Sequence, residues 1–88
     1  MKYVRMTVRG EVQGVNLRYK VKEKAKELGI TGYVKNVSDG SVYIEAAGED
    51  SALDRLADWL RSDPGSAKVD EVRVRAATGD DYVDFSVR

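Results

Sequence analysis

Eighty-eight residues are enough for one domain with a single modest core, because a chain of this size buries only about 60–65% of its unfolded surface. Fifteen basic and fifteen acidic residues cancel to a formal net charge of zero, which argues against general affinity for nucleic acid or an anionic membrane. The chain has no cysteine and no histidine, which excludes disulfides, thiolate or imidazole catalysis and the usual zinc sites.

Apolar residues in the first half of the chain recur first at strand spacing and then at helical spacing. Alternation over residues 3–8 predicts a strand with one buried face, and residues 17–28 show the spacing of an amphipathic helix. Residues 31–37 and 41–47 predict two further strands. The Ser38-Asp39-Gly40 turn between them would join these strands into a hairpin.

The second half of the chain predicts one more helix and two more strands. Either Asp50 or Ser51 could cap this second helix, whose apolar stripe continues as far as Leu60. A proline and a glycine then break the helical pattern. Residues 68–76 and 82–88 alternate as strands on either side of a polar loop.

The order of the predicted elements indicates a fold class. A β-α-β-β-α-β order is typical of the ferredoxin-like, or split βαβ, architecture, in which two helices pack on one face of an antiparallel sheet. We therefore predict a single α+β domain over residues 1–88, with the last residues forming a short terminal strand extension. The fold alone does not indicate a function, since many unrelated functions use it.

A glycine-bracketed turn from Gly10 to Leu17 connects the first strand to the first helix. Such a turn directs several backbone N–H groups one way, and the helix N-terminus adds partial positive charge, so the place suits an anion. Arg18 would lie in the first helical turn, with a planar fork suited to phosphate or carboxylate. The alternative interpretation is a plain connector with a solvated arginine, because no Walker-type motif is present.

Two motifs resemble the signatures of the acylphosphatases. They are Gly10-x-Val12-Gln13-Gly14-Val15-x-Leu17-Arg18 and Gly32-Tyr33-Val34-Lys35-Asn36-x-x-Asp39-Gly40. The resemblance continues through Trp59-Leu60 and Pro64-Gly65 to Phe85-x-Val87, and so covers essentially the whole chain. It implies hydrolysis of an acyl phosphate to a carboxylate and inorganic phosphate, without metal or organic cofactor.

The resemblance also implies roles for particular residues. By position, Arg18 and the loop amides would bind the phosphoryl group, and Asn36 would position the attacking water. The phosphate cradle would comprise Gln13, Gly14, Val15, Asn16, Leu17 and Arg18, with the N–H groups of Gly14, Val15 and Asn16 as the main donors. A carboxylate leaves phosphorus readily and the transition state is loose, so a site without a strong base suits this reaction.

Two positions depart from the family pattern. Leu17 stands where an aromatic residue is usual before the arginine, and Val21 stands where a threonine is frequent one turn later. We expect activity to survive both changes, at a reduced level. The alternative function is a non-catalytic anion-binding or regulatory module on the same fold.

Other features have simpler interpretations. The lysine-rich first helix also carries Glu23 and Glu27, which is typical of a solvated helix surface. Tyr3, Tyr33 and Tyr43 resemble a base-stacking platform, but the motif of RNA-binding ferredoxin-like domains is absent. Residues 80, 81 and 84 are aspartates in a predicted surface loop, and they lack the ligand spacing of a calcium site. Trp59 is predicted to be a core residue of the second helix.

These features give a set of expected partners. We expect a small acyl phosphate as substrate and inorganic phosphate as product or inhibitor, with no nucleic acid and no membrane. The chain begins with a strand pattern rather than a charged leader and contains no long apolar run. We therefore expect a cytoplasmic monomer.

Overall fold

A computed structural model describes residues 1–79 and 81–88 of the chain, and Asp80 lies outside the described residues. The described part contains five strands and two helices, in the order predicted from the sequence. In chain order they are β1 (Lys2–Glu11), α1 (Leu17–Glu27), β2 (Thr31–Asn36), β3 (Val42–Gly48), α2 (Asp50–Arg61), β4 (Lys68–Ala76) and β5 (Phe85–Val87).

The five strands form one sheet in the order β4-β1-β3-β2-β5. The first four strands pair antiparallel, as the ferredoxin-like prediction requires, and the terminal extension adds β5 at the edge beside β2. This last pairing is parallel, so the complete sheet is mixed rather than antiparallel. The chain reaches β5 by crossing from the β4 edge of the sheet to the opposite edge.

Both helices cover one face of the sheet and enclose the core. Strand residues Val4, Met6 and Val8 are almost completely buried there, as their alternation predicted. The helices contribute the residues that share helical spacing: Leu17, Val21, Ala25, Leu53, Leu56, Ala57 and Leu60. Burying each large aliphatic side chain contributes roughly 1.5–3 kcal/mol, so this face supplies the main stabilisation of the fold. Trp59 is only partly buried and packs against the core from outside.

The structure corrects several element boundaries. The N-cap of α2 is Glu49, so the prediction of Asp50 or Ser51 was wrong, and Asp50 instead lies in the first helical turn. An acidic side chain is also favourable there, beside the positive end of the helix dipole. The last strand covers three residues rather than all of 82–88.

The first strand extends past the predicted end through a β-bulge between Arg9 and Gly10. Gly10 has a φ of 134°, and its α-carbon lies so close to β4 that a Cβ atom would overlap the carbonyl oxygen of Lys68. Only glycine fits this backbone and this approach. The bulge therefore sets the direction in which the chain leaves β1 and enters the loop before α1.

We expect Gly10→Ala to lower the free energy of unfolding by more than about 3 kcal/mol, because it adds a backbone clash to an unfavourable φ. Gly29→Ala is the matched control, since Gly29 has a φ of 72° but no atom near the added Cβ. Its cost should be about 1–2 kcal/mol. Urea unfolding of both variants measures the difference, and equal losses would show that the close approach to β4 contributes nothing.

Candidate active site

The topology brings three separate segments to one end of the sheet. Strands β1 and β2 are both antiparallel to β3. They therefore run parallel to each other, and their last residues lie at the same end of the sheet. Strand β5 is parallel to β2 and ends there too. The loop before α1, the residue Asn36 and the end of β5 are therefore neighbours, although the sequence separates them widely.

The loop from Val12 to Asn16 reaches α1 in a conformation that leaves the helix N-terminus open. Gly14 has a φ of 76°, and Asn16, the N-cap, is left-handed with φ 60° and ψ 24°. The Asn16 side chain makes no capping hydrogen bond, and the first helical turn contains no acidic residue. The first N–H groups of α1 are thus available as donors, and they lie at the positive end of the helix dipole. Both properties favour the binding of an anion.

The Arg18 side chain lies in the first turn of α1 and is half-buried. Its Nη1 atom donates a hydrogen bond to the main-chain oxygen of Arg88, with a distance of 3.0 Å. Among the described residues no aspartate or glutamate side chain forms an ion pair with Arg18. The contact holds the guanidinium in place and leaves the remaining N–H donors of its fork for a ligand.

Asn36 is the last residue of β2 and is exposed. Strand alternation puts it on the same side of the sheet as Val34, which is the side that α1 covers. Two hydrogen bonds stabilise the following turn, in which the Asp39 carboxylate accepts from the Ser41 N–H at 2.9 Å and from the Ser41 hydroxyl at 2.6 Å. These bonds also hold the pKa of the Asp39 carboxyl below its usual value. The neutral Asn36 amide has both donor and acceptor atoms available at the edge of the site.

The side-chain amide of Gln13 is bonded to the hairpin and is not a free donor for the anion that the sequence suggested. Its Nε2 atom donates to the carbonyl oxygens of Val37 and Ser41, at 2.7 Å and 2.8 Å. Both amide protons are thereby used, so the side chain has only an acceptor left and would not bind an anion. A contribution of Gln13 to the cradle is limited to its backbone N–H. No sequence pattern indicates these two hydrogen bonds, which bridge the loop and the hairpin, because they form only when the fold brings the hairpin next to Gln13.

The two departures from the family pattern have their side chains in the core. Leu17 is 2% exposed and Val21 is fully buried, among the residues that pack α1 onto the sheet. The Leu17 side chain therefore packs the first helical turn onto the core, and only the backbone N–H of Leu17 could bind an anion. Val15 is partly buried against the same core.

Arg88, the residue after β5 that contacts Arg18, is held by an aromatic network on the open face of the sheet. The Arg88 guanidinium lies 3.9 Å from the centre of the Tyr33 ring. The Tyr33 hydroxyl donates to Glu45, and so do the hydroxyls of Tyr43 and Tyr82, at 2.7 to 2.9 Å. The Tyr33 ring also packs against the rings of Tyr43 and Tyr82, so the three tyrosines surround one carboxylate.

This network shifts the protonation of its members. Hydrogen bonds from Tyr82 and Tyr43 hold the pKa of the Glu45 carboxyl below its usual value. Burial and then the bond to Glu45 raise the pKa of Tyr43 to about 12, and the same causes raise the pKa of Tyr33. Both shifts favour the state in which neutral hydroxyls donate to an ionised carboxylate.

Of the three aspartates considered as cation ligands, Asp80 lies outside the described residues, and the carboxylate of Asp81 has a partner in the protein. Asp81 accepts a hydrogen bond from the Tyr3 hydroxyl at 2.9 Å, and the main-chain oxygen of Asp84 accepts from the Gly32 N–H. Across residues 1–79 and 81–88 no group of three acidic, histidine or cysteine side chains is arranged to hold a metal ion. Neither described helix is long and apolar enough to cross a bilayer.

The fold and this end of the sheet together define a class of protein. Two helices on a five-stranded sheet, with an open helix N-terminus beside a fixed arginine, form a ferredoxin-like domain suited to binding a small anion.

Comparison with known proteins identifies the family within this class. The acylphosphatase family model matches residues 4–87. An acylphosphatase from Thermotoga maritima is 42% identical over 88 residues, covering 100% of this chain and 98% of the relative. One from Archaeoglobus fulgidus is 48% identical over 80 residues, covering 91% and 90%. The solved structure of an acylphosphatase from Coxiella burnetii has a TM-score of 0.94 at 42% identity, covering 99% of this chain and 92% of that one.

The chain therefore belongs to the acylphosphatase family. It is a hydrolase that cleaves the carboxyl–phosphate bond of an acyl phosphate to give a carboxylate and inorganic phosphate.

We expect the free energy of unfolding to fall as acid protonates Glu45, because the folded state favours the ionised carboxylate. This contribution is fully present above the pKa of an unfolded glutamate, about 4.3, and is lost as pH falls through the lower folded value. Glu45→Gln does not titrate and should lose less stability between about pH 5 and pH 2. Glu23→Gln, an exposed change outside the network, is the control, and urea unfolding across this range makes the comparison. Parallel curves for wild type and Glu45→Gln would contradict the network.

Proposed function

We propose that Arg18 and the backbone N–H groups of the loop bind the phosphoryl group of the substrate, while Asn36 positions the attacking water. The observation that carries this proposal is the open N-terminus of α1 beside a guanidinium that Arg88 holds in place. The donors of Gly14, Val15, Asn16 and Leu17 would surround the equatorial phosphoryl oxygens, with the backbone N–H of Gln13 at the edge of this cradle. These fixed groups need no reorganisation as charge develops.

The reaction then proceeds without a strong general base. The oxygen of the water that Asn36 holds attacks phosphorus, and the bond from phosphorus to the acyl oxygen breaks with its electron pair leaving on the carboxylate. The attacking water loses its proton to a phosphoryl oxygen or to solvent. Because the transition state is loose, the nucleophile needs alignment more than deprotonation, and a neutral asparagine can supply that. The leaving carboxylate is a weak base, so no acid is required to protonate it.

The proposal extends to the partners of the enzyme. The substrate is a small acyl phosphate such as acetyl or carbamoyl phosphate, and inorganic phosphate competes for the same cradle as product and inhibitor. The enzyme acts as a cytoplasmic monomer, without metal or organic cofactor and without binding nucleic acid or a membrane. A net charge of zero and the absence of histidine and cysteine support this set of partners.

We expect Arg18→Ala to lower kcat/KM for acetyl or benzoyl phosphate by about 10³-fold or more, since it removes a charge-assisted fork from the transferred group. Inorganic phosphate binding should be lost as well. Release of phosphate from the acyl phosphate measures turnover. Arg55→Ala is the matched control, because Arg55 is an exposed arginine on α2, away from the loop. Near-normal turnover by folded Arg18→Ala would remove Arg18 from the mechanism.

Asn36→Ala should separate binding from turnover. We expect kcat to fall by about 10²-fold or more, because alignment of the water matters only in the transition state. The Kd for inorganic phosphate should stay within roughly threefold of wild type, since the cradle is intact. Ser38→Ala, an exposed change in the same hairpin, is the control. Equal losses in phosphate binding and kcat would assign Asn36 to the cradle instead.

A further inference from the structure

The side-chain amide of Gln13 joins the loop before α1 to the hairpin that follows β2. Its Nε2 atom donates to the carbonyl oxygens of Val37 and Ser41, which face each other across the start of the turn. Val37 directly follows Asn36 in the chain. Within the described structure, no other side chain of the loop from Val12 to Asn16 makes a hydrogen bond to the hairpin. This amide therefore links the loop directly to the hairpin, in addition to an exposed ion pair of 3.3 Å between Arg9 of β1 and Asp39 of the turn.

The hairpin does not need this amide to satisfy its own backbone. The Ser41 carbonyl already accepts from the Val37 N–H at 2.9 Å, and the Val37 carbonyl accepts from the Gly40 N–H at 3.0 Å. Each carbonyl oxygen has a second lone pair, which Gln13 uses. Removing the amide would leave no carbonyl without a partner. The two additional bonds thus set the position of the hairpin relative to the loop rather than completing the hairpin.

The loop end of this bridge is firmly anchored. Val12, the residue before Gln13, is 1% exposed and belongs to the hydrophobic core. The hairpin end is less constrained, because Asn36 is exposed and forms the last pair of β2 with β3, opposite Val42. The ion pair between Arg9 and Asp39 is exposed to solvent, so it restrains the turn only weakly. Without the bridge, the hairpin could shift relative to the loop while both keep their internal hydrogen bonds. A displacement of about 1 Å is enough to reduce turnover by about 10²-fold in a site that acts by alignment.

We propose that Gln13 is a positioning residue, which holds Asn36 at the correct distance from the phosphoryl group bound in the loop. This inference rests on the proposed roles of Arg18 and Asn36. Gln13 acts through the backbone of Val37 and Ser41 and does not touch the substrate with its side chain. Its effect is therefore on turnover and not on phosphate binding.

Gln13→Met tests this role, because methionine keeps the length of the side chain and removes both donors. We expect kcat for acetyl phosphate to fall by about 10- to 100-fold, with KM and the Kd for inorganic phosphate within roughly threefold of wild type. Arg61→Met is the matched control, since it also removes a side-chain bond to a carbonyl oxygen, that of Val72 at 3.3 Å. This bond joins α2 to β4 and not the loop to the hairpin. The kcat of Arg61→Met should equal that of wild type. Urea unfolding confirms that both variants are folded.

A double-mutant cycle with Asn36 distinguishes positioning from general stabilisation. If Gln13 acts only by placing Asn36, then Gln13→Met should cause no further loss of kcat in an Asn36→Ala background. Additive losses, or a parallel loss of phosphate binding in Gln13→Met, would overturn the positioning role. An unchanged kcat in Gln13→Met, together with a large loss of kcat in Asn36→Ala, would overturn the positioning role of Gln13 and leave the role of Asn36 intact. A wild-type kcat in Asn36→Ala would overturn both the role of Asn36 and this inference.

Discussion

Strand β3 lies between β1 and β2 and is antiparallel to both, and the geometry of the site depends on this arrangement. It makes β1 and β2 parallel, so the chain leaves both strands at the same end of the sheet. The loop that begins α1 and the hairpin that carries Asn36 must then meet. Burial of one sheet face under α1 and α2 keeps the three strands in register, because a shift by one residue would move the apolar side chains to the solvent side.

The site that we propose offers fixed dipoles and one permanent charge instead of groups that titrate near neutrality. The N–H groups at the start of α1 and the guanidinium of Arg18 are both held by the fold. Such donors stabilise charge on a phosphoryl group without changing their protonation. This agrees with the reaction of the acylphosphatase family, in which the leaving group is already a weak base. A chain without histidine or cysteine is thus chemically adequate for its reaction.

The open face of the sheet also contributes to the site, although it lies on the other side from the helices. Glu45 gathers the hydroxyls of three tyrosines, and the ring of Tyr33 is covered by the Arg88 guanidinium. The main-chain oxygen of Arg88 then accepts from Arg18. A continuous series of contacts therefore connects the aromatic network to the guanidinium. The β5 extension, which the ferredoxin-like pattern does not require, supplies the middle of this series.

The sequence by itself determined the element order, the fold class, most core positions on both helices and the two motifs, because hydrophobic spacing and turn residues are local properties. Trp59 is an exception on α2, since it is only partly buried. The sequence did not determine the capping residue of α2, since several polar residues can cap a helix. It also did not determine the extent of β5, since a short edge strand forms only where the neighbouring strand offers backbone groups to pair with. Tertiary structure alone decided that β5 pairs parallel to β2, that Arg18 bonds to Arg88, and that the Gln13 amide faces the hairpin. Each of these depends on segments that are distant in sequence, and no local pattern of residues records which distant backbone atom a side chain will meet.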